Sequence, residues 1–142
     1  MFNYKHVLVA TDLHNDDLPV VKKAVALVKR NEAKLTIVTV VPHIPYYMAS
    51  GLSSVTDIES RIEHDCRAKL ERVKTQIDVD AEYVLAHGSA TIEIVRLADK
   101  IGADIVVIGS HGHGGVKRLL GSTASSVLHH ANCDVLVVRI RP

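Results

Sequence analysis

Short apolar runs recur along this chain, each pair of them separated by a stretch with helical apolar spacing, and that alternation leaves few folds open. The runs fall at residues 6–10, 35–41, 81–86, 105–108 and 134–140. Most are rich in Val and Ile and apolar almost throughout, as expected of strands covered on both faces. Between them, Val20, Ala24, Leu27 and Val28 share one helical face. The same holds for Val55, Ile58, Ile62, Cys66, Leu70, Val73 and Ile77 in a longer helix with charged outer faces. A third set is Ile94, Leu97, Ala98 and Ile101, and a fourth is Leu120, Ala124, Val127, Leu128 and Ala131. Strand alternating with helix from end to end predicts an α/β fold, an open parallel sheet with helices on both faces.

Local signals mark the boundaries. Asp16 or Asp17 is placed to cap the first helix, with Pro19 in its first turn and a stop near Asn31. Ser89 is placed to cap the third, and Gly102 ends it. Residues 42–54 carry two prolines, a glycine and three serines and read as a long loop, with Tyr46 and Tyr47 placed to fold over a ligand or pack locally. At 142 residues the chain is expected to form one domain, 1–142, large enough to need neither disulfide nor metal.

Composition excludes several classes. A net charge of +1 gives no general nucleic-acid surface. The first apolar run is too short for a signal core or a membrane span, so a cytoplasmic protein without membrane contact is expected. The two cysteines, Cys66 and Cys133, lie far apart within apolar patterns and read as buried thiols of a reducing compartment. Nine histidines include His111-x-His113 and His129-His130-x-x-Cys133, but no spacing completes a four-ligand metal set.

The most distinctive segment is Ile108-Gly109-Ser110-His111-Gly112-His113-Gly114-Gly115, followed by Gly121-Ser122-Thr123. It joins a strand to a helix, where glycines let backbone N–H groups turn toward an anion. It matches neither the dinucleotide fingerprint nor the Walker pattern. Neither Ser110 nor Ser122 sits in the Gly-x-Ser-x-Gly turn of a serine hydrolase. In an open parallel sheet, ligands bind beyond the carboxyl ends of the strands, where strand order reverses. Asp12 and Gly109 would border one such crevice if their strands are neighbours.

Read in order, these residues resemble the universal stress protein family over the whole chain. The resemblance lies in Ala10-Thr11-Asp12, in Gly88 with Ile94 and Ala98, and in Ala103-Asp104 leading through 105–108 to Gly109-Ser110-His111-Gly112. It continues in Leu119-Leu120-Gly121-Ser122-Thr123 and in His129-His130-Ala131-Asn132-Cys133-Asp134 with the apolar run after it. It implies a Rossmann-like, adenine nucleotide alpha hydrolase-like sheet in the order 3-2-1-4-5. It also implies a homodimer paired through the last strand, from Val135 to Ile140. The family's ATP-binding branch has Gly-x-x-Gly, nine residues, then Gly-Ser/Thr; here Gly109-x-x-Gly112 is followed by eight residues (113–120) and Gly121-Ser122.

By that resemblance, ATP or another adenine nucleotide is the implied ligand, with any magnesium held by its phosphates. Asp12 would meet the ribose or adenine side, and Val40 would contact adenine through its backbone. Gly109, His111 and Gly112 would bring the loop to the phosphates, and Gly121, Ser122 and Thr123 would offer N–H and hydroxyl donors. Ala124 stands where binding relatives can carry a further hydroxyl. Structural alternatives stay open: a helix cap or loop-ordering role for Asp12, simple core for Val40, a tight ligand-free turn for the glycines, and ordinary solvated charges for Lys117 and Arg118. The implied function is a nucleotide-binding regulatory module in the stress response. The alternative is a nucleotide-independent dimer acting through protein partners. An enzyme is the least supported class, at most a weak ATPase, because only His111 or His113 offers a base near the loop.

Overall fold

A strand flanked by parallel neighbours on both sides cannot face water on either surface, and the central strand here meets that demand. In the computed structural model, which describes residues 3–12, 17–44, 54–110 and 120–140, β1 (His6–Thr11) lies between β2 (Lys34–Val41) and β4 (Ile105–Gly109). β3 (Glu82–His87) and β5 (Asp134–Val138) form the two edges. The five strands are all parallel, in the order 3-2-1-4-5.

Side chains alternate across the sheet, as strand geometry requires. Val7, Val9, Ile37, Ile105 and Val107 point to one face, where α1 (Leu18–Asn31) and α2 (Val55–Gln76) cover them with Val20, Val21, Ala24, Leu70 and Val73. Leu8, Ala10, Val38, Val106 and Ile108 point to the other face. There α3 (Ala90–Ile101) and α4 (Ser122–His130) cover them with Ile94, Ala98, Ala124 and Val127. The helices therefore divide two and two between the faces. Edge strands β3 and β5 are only half-buried, unlike the three inner ones.

Several boundaries differ from expectation, each for a local reason. The last strand stops at Val138 rather than Ile140, because the Ile140 N–H turns to donate to Ser110 Oγ at 2.9 Å. β3 keeps His87, which pairs in register with Val41. The fourth helix buries only Ala124 and Val127. Leu120 lies before the helix and Leu128 is 52% exposed, so neither belongs to its core face. Asp17 sits at the N-cap of α1, but its side chain caps no helix N–H. Ser89 likewise occupies the N-cap of α3 without a side-chain bond, whereas Gly102 closes that helix in the left-handed conformation as expected. Ser54, unremarked in the sequence, does cap α2, accepting from the Asp57 N–H at 3.0 Å. Cys66 is buried and Cys133 is half-buried, and both are free thiols. Asp16, Tyr46 and Tyr47 lie outside the described residues. Among the described residues no helix is long and apolar enough to cross a membrane.

The two-faced core sets the expected response to truncation. Leu8→Ala, in the fully buried centre of β1, will cost about 2–5 kcal/mol by urea denaturation. Leu128→Ala will change stability by less than about 0.5 kcal/mol. Similar losses at both positions would show that Leu128 is covered in solution.

Candidate functional site

The order 3-2-1-4-5 sends the chain leaving β1 away from β4 and opens a crevice beyond the strand ends. A cleft of about 330 Å³ occupies that place. Toward β1 and β2 its lining is mostly apolar, with Ala10, Val40, Pro42, Ile62 and Cys66 beside Thr11, Asp12 and Asp17. On the β4 side it is bounded by Gly109, Ser122, Thr123 and Ala124, at the start of α4. Gly88 and Ala90 bring the start of α3 to the same space. Two helix N-termini therefore face the cleft, each with N–H groups lacking helical partners and the positive end of its dipole.

Of the residues expected at the site, Asp12, Val40, Gly109, Ser122 and Thr123 line this one cleft. His111 and Gly112 lie outside the described residues, as do His113, Lys117 and Arg118. Gly121 is adjacent but does not line the space. Its N–H donates to the Ser110 carbonyl at 2.6 Å, so it cannot also serve a ligand in this conformation. Ala124 lacks a hydroxyl but places the backbone of α4's first turn at the wall.

Ser110 is a junction. Its N–H donates to the Val138 carbonyl at 2.8 Å, its Oγ accepts from Ile140 and its carbonyl accepts from Gly121. Ile140 then packs over Gly109, where an added Cβ would lie 2.5 Å from Ile140 Cδ1 and 3.3 Å from Val20 Cγ2. A Cβ at Gly109 would thus force the Ile140 side chain to shift on the α1 side. Gly88 is required by its backbone, since its φ of 129° is one that residues with a Cβ rarely adopt.

A buried polar cluster that no spacing pattern marks lies beside Asp12. Asp17 and Lys69 are both buried, with Lys69 Nζ 3.0 Å from Asp17 Oδ2. Lys69 also donates to the Asp12 carbonyl, and the Asp12 N–H donates to Asp17 Oδ2. Burial pushes the Asp17 carboxyl above its ordinary range, against the opposing pull of the Asp12 N–H and the Lys69 ammonium. Nearby hydroxyls are satisfied: Thr39 Oγ1 donates to the Thr11 carbonyl at 3.1 Å and Thr11 Oγ1 to the Val38 carbonyl at 3.3 Å. At the rim, Glu63 on α2 meets His87 Nε2 at 2.8 Å and ties that helix to the end of β3. His129 and His130 stack edge-on, and His130 bonds back to the Ser126 carbonyl. Among the described residues no three His, Cys, Asp or Glu side chains gather in a metal-binding group.

Gly88, Cys66 and Ile62 are cleft residues that the sequence reading did not place there. Gly88 had a signal, a glycine between a strand and a helix. Cys66 and Ile62 had none, because a stripe facing a cleft and a stripe facing a core share one spacing.

The family model described as the universal stress protein family matches residues 3–139. The chain belongs to the universal stress protein family. Universal stress protein A homolog 2 of Coxiella burnetii is 36% identical, with 99% of each chain covered. The universal stress protein UspA from Lactobacillus plantarum shares the fold at a TM-score of 0.77 and 24% identity, over 98% of this chain and 100% of that one. A universal stress protein solved in complex with cAMP superposes at a TM-score of 0.69 with 28% identity, over 97% of this chain and 98% of that one. The strand order of this universal stress protein agrees with what the resemblance implied.

Cys66 offers a chemical report on the cleft wall. Burial pushes its thiol up, the Asp65 charge adds to the shift, and Lys69 and a hydrogen bond with Thr39 oppose it. The thiolate is the reactive form, so at neutral pH the native thiol is held back and reactivity rises only as pH climbs through the raised value. In Cys133→Ser protein, iodoacetamide labelling of Cys66 will therefore reach half its plateau rate at a higher pH in the native state than in urea. An equal or lower native midpoint would contradict the burial argument.

Proposed function

We propose that this universal stress protein is an adenine-nucleotide-binding regulatory module, taking ATP or a related nucleotide in the cleft beyond β1, β2 and β4. The observation that carries the reading is the cleft's division of labour. An apolar slot suited to a purine lies on the β2 side. Gly109 and the N-terminus of α4, a setting suited to phosphate, lie on the β4 side. Asp12 stands between them, where a carboxylate can accept from ribose hydroxyls.

Val40 and Pro42 would flank the base, with Ile62 and Cys66 closing the slot from α2. Ser122, Thr123 and the backbone of Ala124 would meet the phosphates, assisted by His111 and Gly112 of the glycine segment. Magnesium enters this reading as a counter-ion carried by the phosphates. The family relative solved with cAMP supports an adenine nucleotide as the ligand class.

The same reading includes a cytoplasmic homodimer, associated through 135–140. Its support is the edge position of β5, which leaves a half-buried apolar strand available for pairing. Occupancy of the cleft would then be read by protein partners, and the cellular role would be stress adaptation, as in the family at large.

Denaturing the purified protein will release adenine nucleotide, or calorimetric titration with ATP will give saturable heat. Asp12→Ala will weaken binding by about 10–100-fold through loss of charge-assisted hydrogen bonds. No carried nucleotide together with no heat at millimolar ATP would refute nucleotide binding. Phosphate released steadily from the holo-protein with magnesium would identify a slow hydrolase instead of a binder.

A further inference from the structure

Lysine is rarely buried without partners, because an ammonium gives up strong hydration on leaving water. Lys69 nevertheless occupies the inward stripe of α2, between Cys66 and the core residues Leu70 and Val73, and is only 7% exposed. Its partners show what it holds. The ammonium donates to the Asp12 carbonyl and contacts the Asp17 carboxylate, which accepts the Asp12 N–H. The carbonyl and the N–H of Asp12 are thus both engaged by one ion pair, built from the start of α1 and the middle of α2.

This grip lies where the sheet offers none. The β1–β2 register ends at Thr11 and Thr39, and the β1–β4 register ends earlier, at Val9 and Val107. Asp12 is the first residue past both ladders, and it lines the cleft. Its backbone is fixed by Lys69 and Asp17 in place of strand pairing. Apolar side chains of similar volume often replace a buried ion pair at little cost in stability, but here they would take away the partners of the Asp12 N–H and carbonyl. What they would not supply is a directional hold on one peptide group.

We infer that Lys69 and Asp17 are positioning residues that aim Asp12 at the ribose hydroxyls of the bound nucleotide. The inference rests on the nucleotide-binding reading and adds to it a source of ribose selectivity. Selectivity then depends on Lys69, which does not line the cleft, and on Asp17, which lines it beside Asp12, and α2 is mechanically linked to the sugar site through Lys69 as well as to the base slot through Ile62 and Cys66.

The test uses the full-length chain and the variant Asp17→Ala/Lys69→Met, which removes both charges together and strands neither in the interior. Dissociation constants for ATP and for 2′,3′-dideoxy-ATP are measured by calorimetry. The double variant is expected to lose about tenfold in ATP affinity while its affinity for the dideoxy nucleotide stays within about twofold of wild type. Equal losses for both nucleotides, or an unchanged preference in the double variant, would overturn the positioning role. A ligand-free readout separates this from failure of nucleotide binding itself. Hydrogen exchange of the Asp12 amide should accelerate by at least about tenfold in the double variant while the Val9 amide in β1 keeps its protection. Unchanged Asp12 exchange would overturn the inference even in a protein that binds ATP, and faster Asp12 exchange would sustain the hold on its backbone even in one that does not.

Discussion

The parallel pairing of β1 on both edges governs the rest of the molecule. A strand so placed must be covered above and below, which requires helices on both faces and fixes the alternation of Val7 and Val9 against Leu8 and Ala10. Because β2 and β4 are reached by connections leaving in opposite directions, their ends separate beyond β1 and a cleft opens there. The site is therefore a product of topology. Local chemistry then gives it character: a mostly apolar wall toward β2, the N-terminus of α4 toward β4, and the Asp12 carboxylate between.

The fold was legible because its determinants are periodic. Strand runs buried on both faces stand out as continuous Val and Ile, and helices announce themselves by spacing. The departures occur where a single hydrogen bond overrides the pattern. Ile140 reads as strand by composition, yet its N–H goes to the Ser110 hydroxyl and the ladder stops at Val138. Asp17 reads as a cap, yet its carboxylate is drawn to Asp12 and Lys69, contacts that depend on a residue far along the chain. Leu128 reads as core because helical spacing gives an angle around the axis and not the width of the surface that the neighbouring elements cover.

The cleft was partly legible. Asp12, Val40, Gly109, Ser122 and Thr123 converge as their places in the alternating order require, since each follows or ends a strand or opens a helix. Lys69 could not be found that way. A lysine on an amphipathic helix next to a cysteine and a leucine looks like an edge residue of the apolar stripe, and only its partners across two other elements reveal it as interior. Gly121 shows the opposite case. Sequence marks it as a donor to a ligand, whereas the fold gives its N–H to Ser110.

That bond between Ser110 and Gly121 has an evolutionary consequence. It staples together the two ends of the glycine segment, with Ser110 itself tied to the segment after β5. Where Ser122 and Thr123 enter the cleft is then set by the staple and not by the number of residues it encloses. The bond is made by backbone atoms alone, so selection for it acts on the path of the chain and not on side-chain identity at its two ends.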